Sequence, residues 1–479
     1  MNRRKSNKGK ENIGKMNSQK IPFKVLLIMF APYKTVQMQI AALSAFLKKI
    51  GCEVRYLEID ICQGDDSNKF NHYIRQEIEA FQPYLVGLSS YDMNYYFNLN
   101  AADFIKKNFP EIKIIVGGHH ASAAPEDYTT CSSIDFVCIG EGEYVLKDLI
   151  EALREGRDTN LILGLCLRDE SGSMKRNAAR PLIENLDELP FLDRSIVHSR
   201  QLEIDYLPIL AGKGCPFQCT YCANEIMKNL YPNRDRYLRY RSPERIIQEI
   251  NVWRKIYNFQ YIYFYDDIFA MNYEWLKEFT ELYVKHFPTL PYYCLLHPSL
   301  AADEKRVVLL SKSGCKNISM GVESGSEVYR KKMLRREMTN KAILKAASTI
   351  KRNHVNLSIY MMVGLPGETL LDMLKSFWLN IRIGANGVQT GIYYPIKNTP
   401  LYKYCLEHNL INEERKKEIF IYTYNTCLNC GVLKRGLIIL FKWLNSGVPI
   451  LRRFQFRLIP HFFRIQYHKV LLRRIDYNF

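Results

Sequence analysis

PILAGKGCPFQCTYC, residues 208–222, is the stretch on which the reading of the whole chain turns. Its first part, Pro208–Gly214, has the apolar character of a strand. It runs directly into three cysteines spaced C-x3-C-x2-C: Cys215, Cys219 and Cys222. Gly214 and Pro216 make a regular element across the cysteines unfavourable, so a strand ends in a loop of thiols. A loop that short can wrap one small inorganic centre. A tetrahedral structural zinc needs four protein ligands, and no fourth Cys or His lies within a few residues. Three thiolates suit a four-iron cluster that keeps one iron open to an outside ligand, and an open position marks a catalytic metal site. The alternative is a zinc completed by a distant residue such as Cys294 or His297.

Downstream of the loop, apolar runs and helical patterns alternate. Strands are expected at 260–266, 292–297, 316–323, 356–364 and 388–394, with helices near 243–257, 272–286, 302–313, 339–353 and 368–383. With 208–214 that makes six strands with crossover helices, an open three-quarter barrel of the TIM type or a second doubly wound sheet. In barrels the chemistry sits at the C-terminal strand ends. The cysteine loop occupies one such end; Asp266-Asp267, GVESGS (321–326) and GLPGE (364–368) occupy others.

Upstream, FKVLLIMF (23–30), CEVRYLEI (52–59), YLVGLSS (84–90), IKIIVGG (112–118) and DFVCIG (135–140) read as five strands separated by helices. That pattern implies a parallel, doubly wound (flavodoxin-like) sheet covered on both faces. Ligands of such sheets bind beyond the carboxyl ends of the strands, here Ala31–Tyr33, Ser89–Tyr91, Gly117–His120 and Gly140–Glu143. Neither a G-x-G-x-x-G nor a phosphate-cradling G-x-x-x-x-G-K-[ST] is present, so a nucleotide site of those types is disfavoured. The expected α/β organisation is a basic tail (1–20), a first domain (21–158), a linker (159–204), the partial barrel (205–410) and a small, basic, mainly helical C-terminal region (411–479).

Composition agrees with folded domains. The 479 residues suggest about three domains, and 47% hydrophobic and 24% charged residues are ordinary for globular proteins. The net charge of +18 is concentrated at the ends: residues 1–20 carry +6 and residues 431–479 carry +9, which leaves +3 for the body. A nucleic-acid-binding surface would spread its charge differently, so no nucleic-acid partner is expected. No apolar export signal or membrane-spanning run is evident. Thirteen cysteines in a chain of this size then point to a reducing, cytoplasmic setting.

Taken together, these motifs resemble the cobalamin-binding radical S-adenosylmethionine (SAM) enzymes, the methyltransferases of class B among them. The cysteine loop with Tyr221 before its last cysteine is similar to that family's cluster loop. The resemblance implies that Cys215, Cys219 and Cys222 hold a [4Fe-4S] cluster whose free iron takes SAM. It further implies SAM contacts from Glu323 and Ser324 in GVESGS, from Arg336 in LRREMT (334–339), and from Gly364 in MMVGLPGET (361–369). Asp266 and Asp267, in FYDDIFAMN (264–272), are site candidates on the same basis. VGGHHASAAPE (116–126) and IDFVCIGEGE (134–143) resemble the family's corrinoid-binding loops. They make Ser90, Gly117, Gly118, His120, Gly140, Glu141 and Gly142 the candidate cobalamin residues. LDELPFLD (186–193) also fits, so the resemblance runs from about Phe23 to Asn409. Many corrinoid proteins have a D-x-H-x-x-G segment. The loop after the first strand here, APYKTVQMQ (31–39), has no such histidine, so cobalamin would bind without one below its cobalt.

The activity implied is reductive cleavage of SAM to a 5′-deoxyadenosyl radical, with cobalamin delivering a methyl group to an unactivated carbon of a small-molecule substrate. A flavodoxin or ferredoxin would donate the electron. Cyclisation or rearrangement is the alternative within the family, and a corrinoid or redox sensor is the alternative outside it. A sensor would not need the fourth- and fifth-strand motifs. The C-terminal region lies beyond the resemblance. Cys427-x-x-Cys430 reads as packing or surface thiols. The last stretch interleaves bulky and basic residues, and Pro449 and Pro460 are expected to break it into short helices. Two readings of it stand side by side: packing on the barrel, or peripheral contact with an anionic membrane.

Overall fold

The apolar runs of the first half come together in one sheet in a computed structural model that describes residues 22–31, 37–61, 67–128, 131–168, 174–198, 205–418 and 425–453. Strands β1 (Phe23–Ala31), β2 (Cys52–Asp60), β3 (Leu85–Ser89), β4 (Lys113–Gly117) and β5 (Phe136–Cys138) are parallel, in the order β2-β1-β3-β4-β5. β1 shows why an unbroken apolar run forms the centre. Leu26, Ile28 and Phe30 enter the core on one face, and Val25, Leu27 and Met29 enter the core on the other.

The expected linker holds a surprise. Two further strands, β6 (Leu165–Arg168) and β7 (Met174–Arg176), extend this sheet antiparallel from β5. Four-residue and three-residue strands carry too little periodicity to be recognised, and an antiparallel edge needs no crossover helix to announce it. The rest of the linker does bridge the domains. The Asp193 carboxylate accepts from Ser44 and pairs with Lys48 at 2.6 Å, while Arg194 next to it pairs with Glu249 at 3.0 Å. Glu249 belongs to helix Pro243–Arg254, so the linker ties the first domain to the second.

The second sheet has six parallel strands: β8 (Tyr206–Ile209), β11 (Tyr261–Phe264), β12 (Tyr292–Leu296), β13 (Cys315–Glu323), β14 (Asn356–Val363) and β15 (Gly387–Ile392). Their order is β15-β14-β13-β12-β11-β8. β8 and β15 remain edges, which makes this a partial (β/α)6 barrel. Ile262 and Phe264 face the helix-packed core, whereas Tyr261, Tyr263 and Tyr265 alternate to the other face. The strand expected over 208–214 is interrupted. After β8 the chain forms a short strand, β9 (Gly212–Lys213), which pairs antiparallel with β10 (Arg239–Tyr240).

The C-terminal helix Val432–Arg453 corrects one expectation, because it passes through Pro449 unbroken. Proline cannot donate to the carbonyl four residues back. That carbonyl, of Asn445, accepts instead from Asn380 Nδ2 at 2.9 Å. Replacing Asn380 by leucine is expected to leave the buried carbonyl unpaired and to lower unfolding stability by about 1–3 kcal/mol in denaturant titrations. The helix packs on the barrel through Ile438, Phe441 and Val448. No described helix is long and apolar enough to cross a membrane. Cys427 is buried beside Met93 and Tyr394, and Cys430 packs in a different cluster; both are free thiols. The basic tail over 1–20, most of the loop after β1, Pro460 and the aromatic-basic run from Phe454 lie outside the described residues.

Candidate active site

The cysteine loop is held at its start by Asp266. This carboxylate, at the end of β11, accepts from the backbone amides of Ala211 and Gly212. Burial pushes its pKa up to about 7, against those two hydrogen bonds. Asp266 is therefore a positioning residue committed to the backbone, whereas its neighbour Asp267 is exposed. Gly214 then turns the chain at φ +90°; a Cβ there would lie 2.3 Å from the Tyr237 carbonyl oxygen. Farther along, Thr220 donates to the Met333 carbonyl, and Leu401 N donates to Thr220. Phe217 stacks on His297 with ring centroids 3.9 Å apart.

The thiols differ in setting. Cys219 is buried, while Cys215 and Cys222 are partly exposed. Burial pushes Cys215 up to about 11 and Cys222 up to about 12. Arg336 supplies the positive charge: its Nη1 lies 3.3 Å from Cys219 Sγ and 3.4 Å from the Tyr221 hydroxyl, and its Nη2 donates to the Gly321 carbonyl at 2.6 Å. Arg336 Nε is buried with no hydrogen-bond partner among the described residues.

Glu323 joins this group through a distortion of β13. The register with β14 shifts between Gly321 and Glu323, and Glu323 takes a left-handed φ of +68°. Such strain in a non-glycine residue is typical of sites where an aim matters more than regularity. The result is a carboxylate folded over Gly321, where a Cβ would lie 2.5 Å from Glu323 Oε1. Burial raises its pKa, and the Arg336 charge and a hydrogen bond from Tyr221 oppose that rise.

Other sequence candidates have inward roles. Ser324 is fully buried; its hydroxyl lies 3.5 Å from that of Ser376 and accepts from Ser326 N at 3.3 Å. Gly364 is covered by Ile438 of the C-terminal helix, and its amide donates to buried Glu368 at 2.8 Å. Cys294 lies in the helix-packed core, 3.8 Å from Cys315 and away from the loop thiols, so it does not complete a zinc site.

The donor set fits the cluster. The fit is one of donor chemistry and placement: three thiols sit within eight residues on one pinned loop, while among the described residues no three His, Cys, Asp or Glu side chains, these thiols included, are gathered into metal-holding geometry. A cation and an unpartnered N–H lie beside Cys219, as the carboxylate of SAM would require.

The first sheet reverses its strand order between β1 and β3, so its ligand crevice lies at the ends of Ala31 and Ser89. Gly117 is half-buried, and exposed Gly118 turns at φ +108°, where a Cβ would lie 2.5 Å from the Ser90 carbonyl oxygen; the glycine is required by that close approach, and its exposed backbone is what a corrinoid could meet at this edge. The candidate side chains there are engaged by protein. Ser90 shares a 2.5 Å hydrogen bond with Tyr128. His120 Nε2 lies 2.9 Å from Asp127, and its Nδ1 lies 3.5 Å from Asp92. Gly140 N donates to Ser122, and a Cβ on Gly140 would strike the Tyr231 hydroxyl at 2.4 Å. Gly142 opens helix Gly142–Glu155. Glu141 takes both Arg239 nitrogens, at 2.7 and 3.1 Å, and the Ile183 amide.

These contacts join the two sheets. Lys213, two residues before Cys215, donates to Glu143 at 2.5 Å and lies 3.8 Å from Glu141. On the other side of the crevice, Lys397 N donates to Asp92 at 2.8 Å, the Lys397 ammonium pairs with Asp127, and Asn398 donates to the Ala123 carbonyl at 2.8 Å. Two charged ties thus hold the ligand edge of the first sheet over the cysteine mouth of the second. Sequence reasoning missed Lys213, Arg239 and Lys397. Their partners lie 70, 98 and 270 residues away, and no local signal marks them.

The second tie has a pH signature. Burial disfavours charge on His120, but the Asp127 carboxylate that accepts from its Nε2 and the negative charges of Asp127 and Asp92 outweigh it and raise its pKa. Both aspartates are lowered despite their burial, by His120 and Lys397. The His120 contribution is complete below its unfolded value and is lost as pH rises through the raised folded value; the aspartate contributions are lost as pH falls below 3.8. Between these limits the tie is strongest. The stability gap between the wild type and His120→Gln is expected to be widest in mildly acidic buffer and to narrow as pH rises. A gap independent of pH in denaturant unfolding would show that His120 stays neutral.

Comparison with known proteins adds two family matches: the radical SAM superfamily over residues 209–377 and the B12 binding domain over residues 26–150. The chain is 26% identical over 342 residues to an uncharacterized methyltransferase of Pyrococcus horikoshii, covering 71% of this chain and 72% of that protein. It is 25% identical over 350 residues to the anaerobic magnesium-protoporphyrin IX monomethyl ester cyclase of Rubrivivax gelatinosus, covering 71% of this chain but 60% of the cyclase. Its fold is similar to that of the radical S-adenosylmethionine methyltransferase TsrM from Kitasatospora setae, solved with cobalamin and a [4Fe-4S] cluster bound. That match has a TM-score of 0.65 at 18% identity and covers 81% of this chain and 78% of that one.

Proposed function

We propose, from the premise that this chain belongs to the radical SAM enzymes carrying a B12-binding domain, that it methylates a carbon of a small-molecule substrate. Its cofactors are a [4Fe-4S] cluster, SAM and cobalamin. When bound, the cluster and SAM supply one-electron cleavage chemistry, and cobalamin supplies a transferable methyl group. The observation that carries the reading is the apposition of the two ligand edges by the Lys213–Glu143 and Lys397–Asp127 ties.

Within that arrangement the protein binds, orients and excludes water. Cys215, Cys219 and Cys222 are the metal ligands. Arg336 offers its unpaired Nε to the carboxylate of SAM, and Glu323, anchored by Tyr221 and Arg336, faces the same ligand. Asp266 keeps the loop in place through its two backbone hydrogen bonds. Glu141 and Glu143 keep the corrinoid edge against the loop, and Gly117–Gly118 lets the corrinoid approach. The electron for SAM cleavage comes from outside the chain, from a carrier of the flavodoxin or ferredoxin class.

Similarity to the cyclase supports a second reading, radical cyclisation or rearrangement. Product analysis separates the two. Under anaerobic conditions with reductant, the reconstituted chain is expected to form 5′-deoxyadenosine from SAM, and S-adenosylhomocysteine only when cobalamin is present. Deoxyadenosine alone from a cobalamin-loaded chain would overturn methyl transfer in favour of the second reading.

A further inference from the structure

Two neighbouring helices leave apolar faces open to solvent. Helix Val432–Arg453 spends one face, Ile438, Phe441 and Val448, on the barrel and on helix Leu370–Ile383. It carries a second stripe as well: Leu433, Leu437, Leu440 and Leu444 recur every three or four residues and so share a side. Leu444 packs at the edge of the core that also receives Phe377. From there the stripe runs out to Leu440 and to Leu433, which is 80% exposed.

Helix Leu370–Ile383 mirrors this. Leu370 and Leu374 continue the Phe377 side, and Leu371 and Trp378 widen it, with Trp378 60% exposed. Open apolar surface of this kind on adjacent helices marks a docking face.

The charge around it names the occupant. Helix Val432–Arg453 has no acidic residue; its Lys434 and Arg435 are partly exposed, while Lys442 is buried. Lys375 and Arg382 are exposed on the neighbouring helix. The carboxylate of Asp372 there is engaged by Thr369 at the helix start and lies 3.8 Å from the Lys375 ammonium, which leaves Arg382 as the cation of this helix unpaired among the described residues. A second copy of this chain would bring two basic faces together. An anionic bilayer offers an apolar interior for the leucines and tryptophan and negative headgroups for the basic rim. We propose that this two-helix face seats the protein on an anionic membrane surface.

Flotation of the cofactor-loaded full chain tests this, using phosphatidylcholine vesicles with and without phosphatidylglycerol. Flotation only with the anionic vesicles, weakened by salt, is the expected result. Leu371→Glu with Trp378→Glu is expected to reduce the bound fraction by about tenfold or more. Lys434→Glu with Arg435→Glu is expected to reduce it with the apolar stripe intact. Iron content and unfolding midpoint report whether each variant is folded, independently of activity. Failure of the folded wild type to float with anionic vesicles would overturn the proposal. So would a vesicle-free dimer that Trp378→Glu returns to monomer, which would make the face a contact between copies.

Discussion

Replacing Cys219 by alanine is expected to remove the cluster and take SAM cleavage to the detection limit. Two remaining thiolates leave the four-iron unit one ligand short, and Cys219 is the buried member beside the Arg336 charge. Iron and sulfide content after anaerobic reconstitution, followed by chromatography for 5′-deoxyadenosine, checks the prediction. Cys427→Ala and Cys430→Ala, whose thiols pack in other clusters, are expected to keep both. A Cys219→Ala protein that retained its iron and still formed 5′-deoxyadenosine would place the cluster elsewhere.

The second large effect concerns Arg336. Its guanidinium touches Cys219, Tyr221 and Gly321, and its buried Nε–H has no partner among the described residues and is left for a ligand. Arg336→Ala is expected to keep the three thiols and their iron but to weaken SAM binding by roughly 10- to 100-fold, the worth of one hydrogen bond to a charged group. Arg336→Lys restores charge without the planar fork and is expected to fall between. The change that SAM makes to the cluster's electron paramagnetic resonance spectrum gives the affinity separately from turnover. Unchanged affinity in Arg336→Ala would remove this residue from the ligand site.

What could be read from sequence follows from how locally each feature is encoded. The run FKVLLIMF is apolar throughout because both faces of β1 are covered, and such strands are visible by themselves. The cysteine loop is legible because its ligands fall within eight residues. Arg336 was found only through a motif resemblance, since its contact with Cys219 spans 117 residues. The β6–β7 extension was hidden by its shortness. Pro449 misled because the residue that compensates for it, Asn380, lies on another helix. Glu141 and His120 sit in motifs that suggested a cofactor, yet the structure gives their side chains to Arg239 and to the Asp92–Asp127 pair. Such pairing, across the domains for Glu141 and within the first domain for His120, leaves no periodic trace in the segments it joins.

Both cofactors are expected to face one crevice between the two sheets. Electron paramagnetic resonance of the chain loaded with both paramagnetic centres, cob(II)alamin and the reduced cluster, tests it most directly. Dipolar coupling falls steeply with distance. The shared crevice predicts a spectrum that departs from the sum of the two singly loaded spectra, and that returns toward the sum when Lys213→Glu and Lys397→Glu loosen the ties. A doubly loaded wild-type spectrum equal to that sum would contradict it.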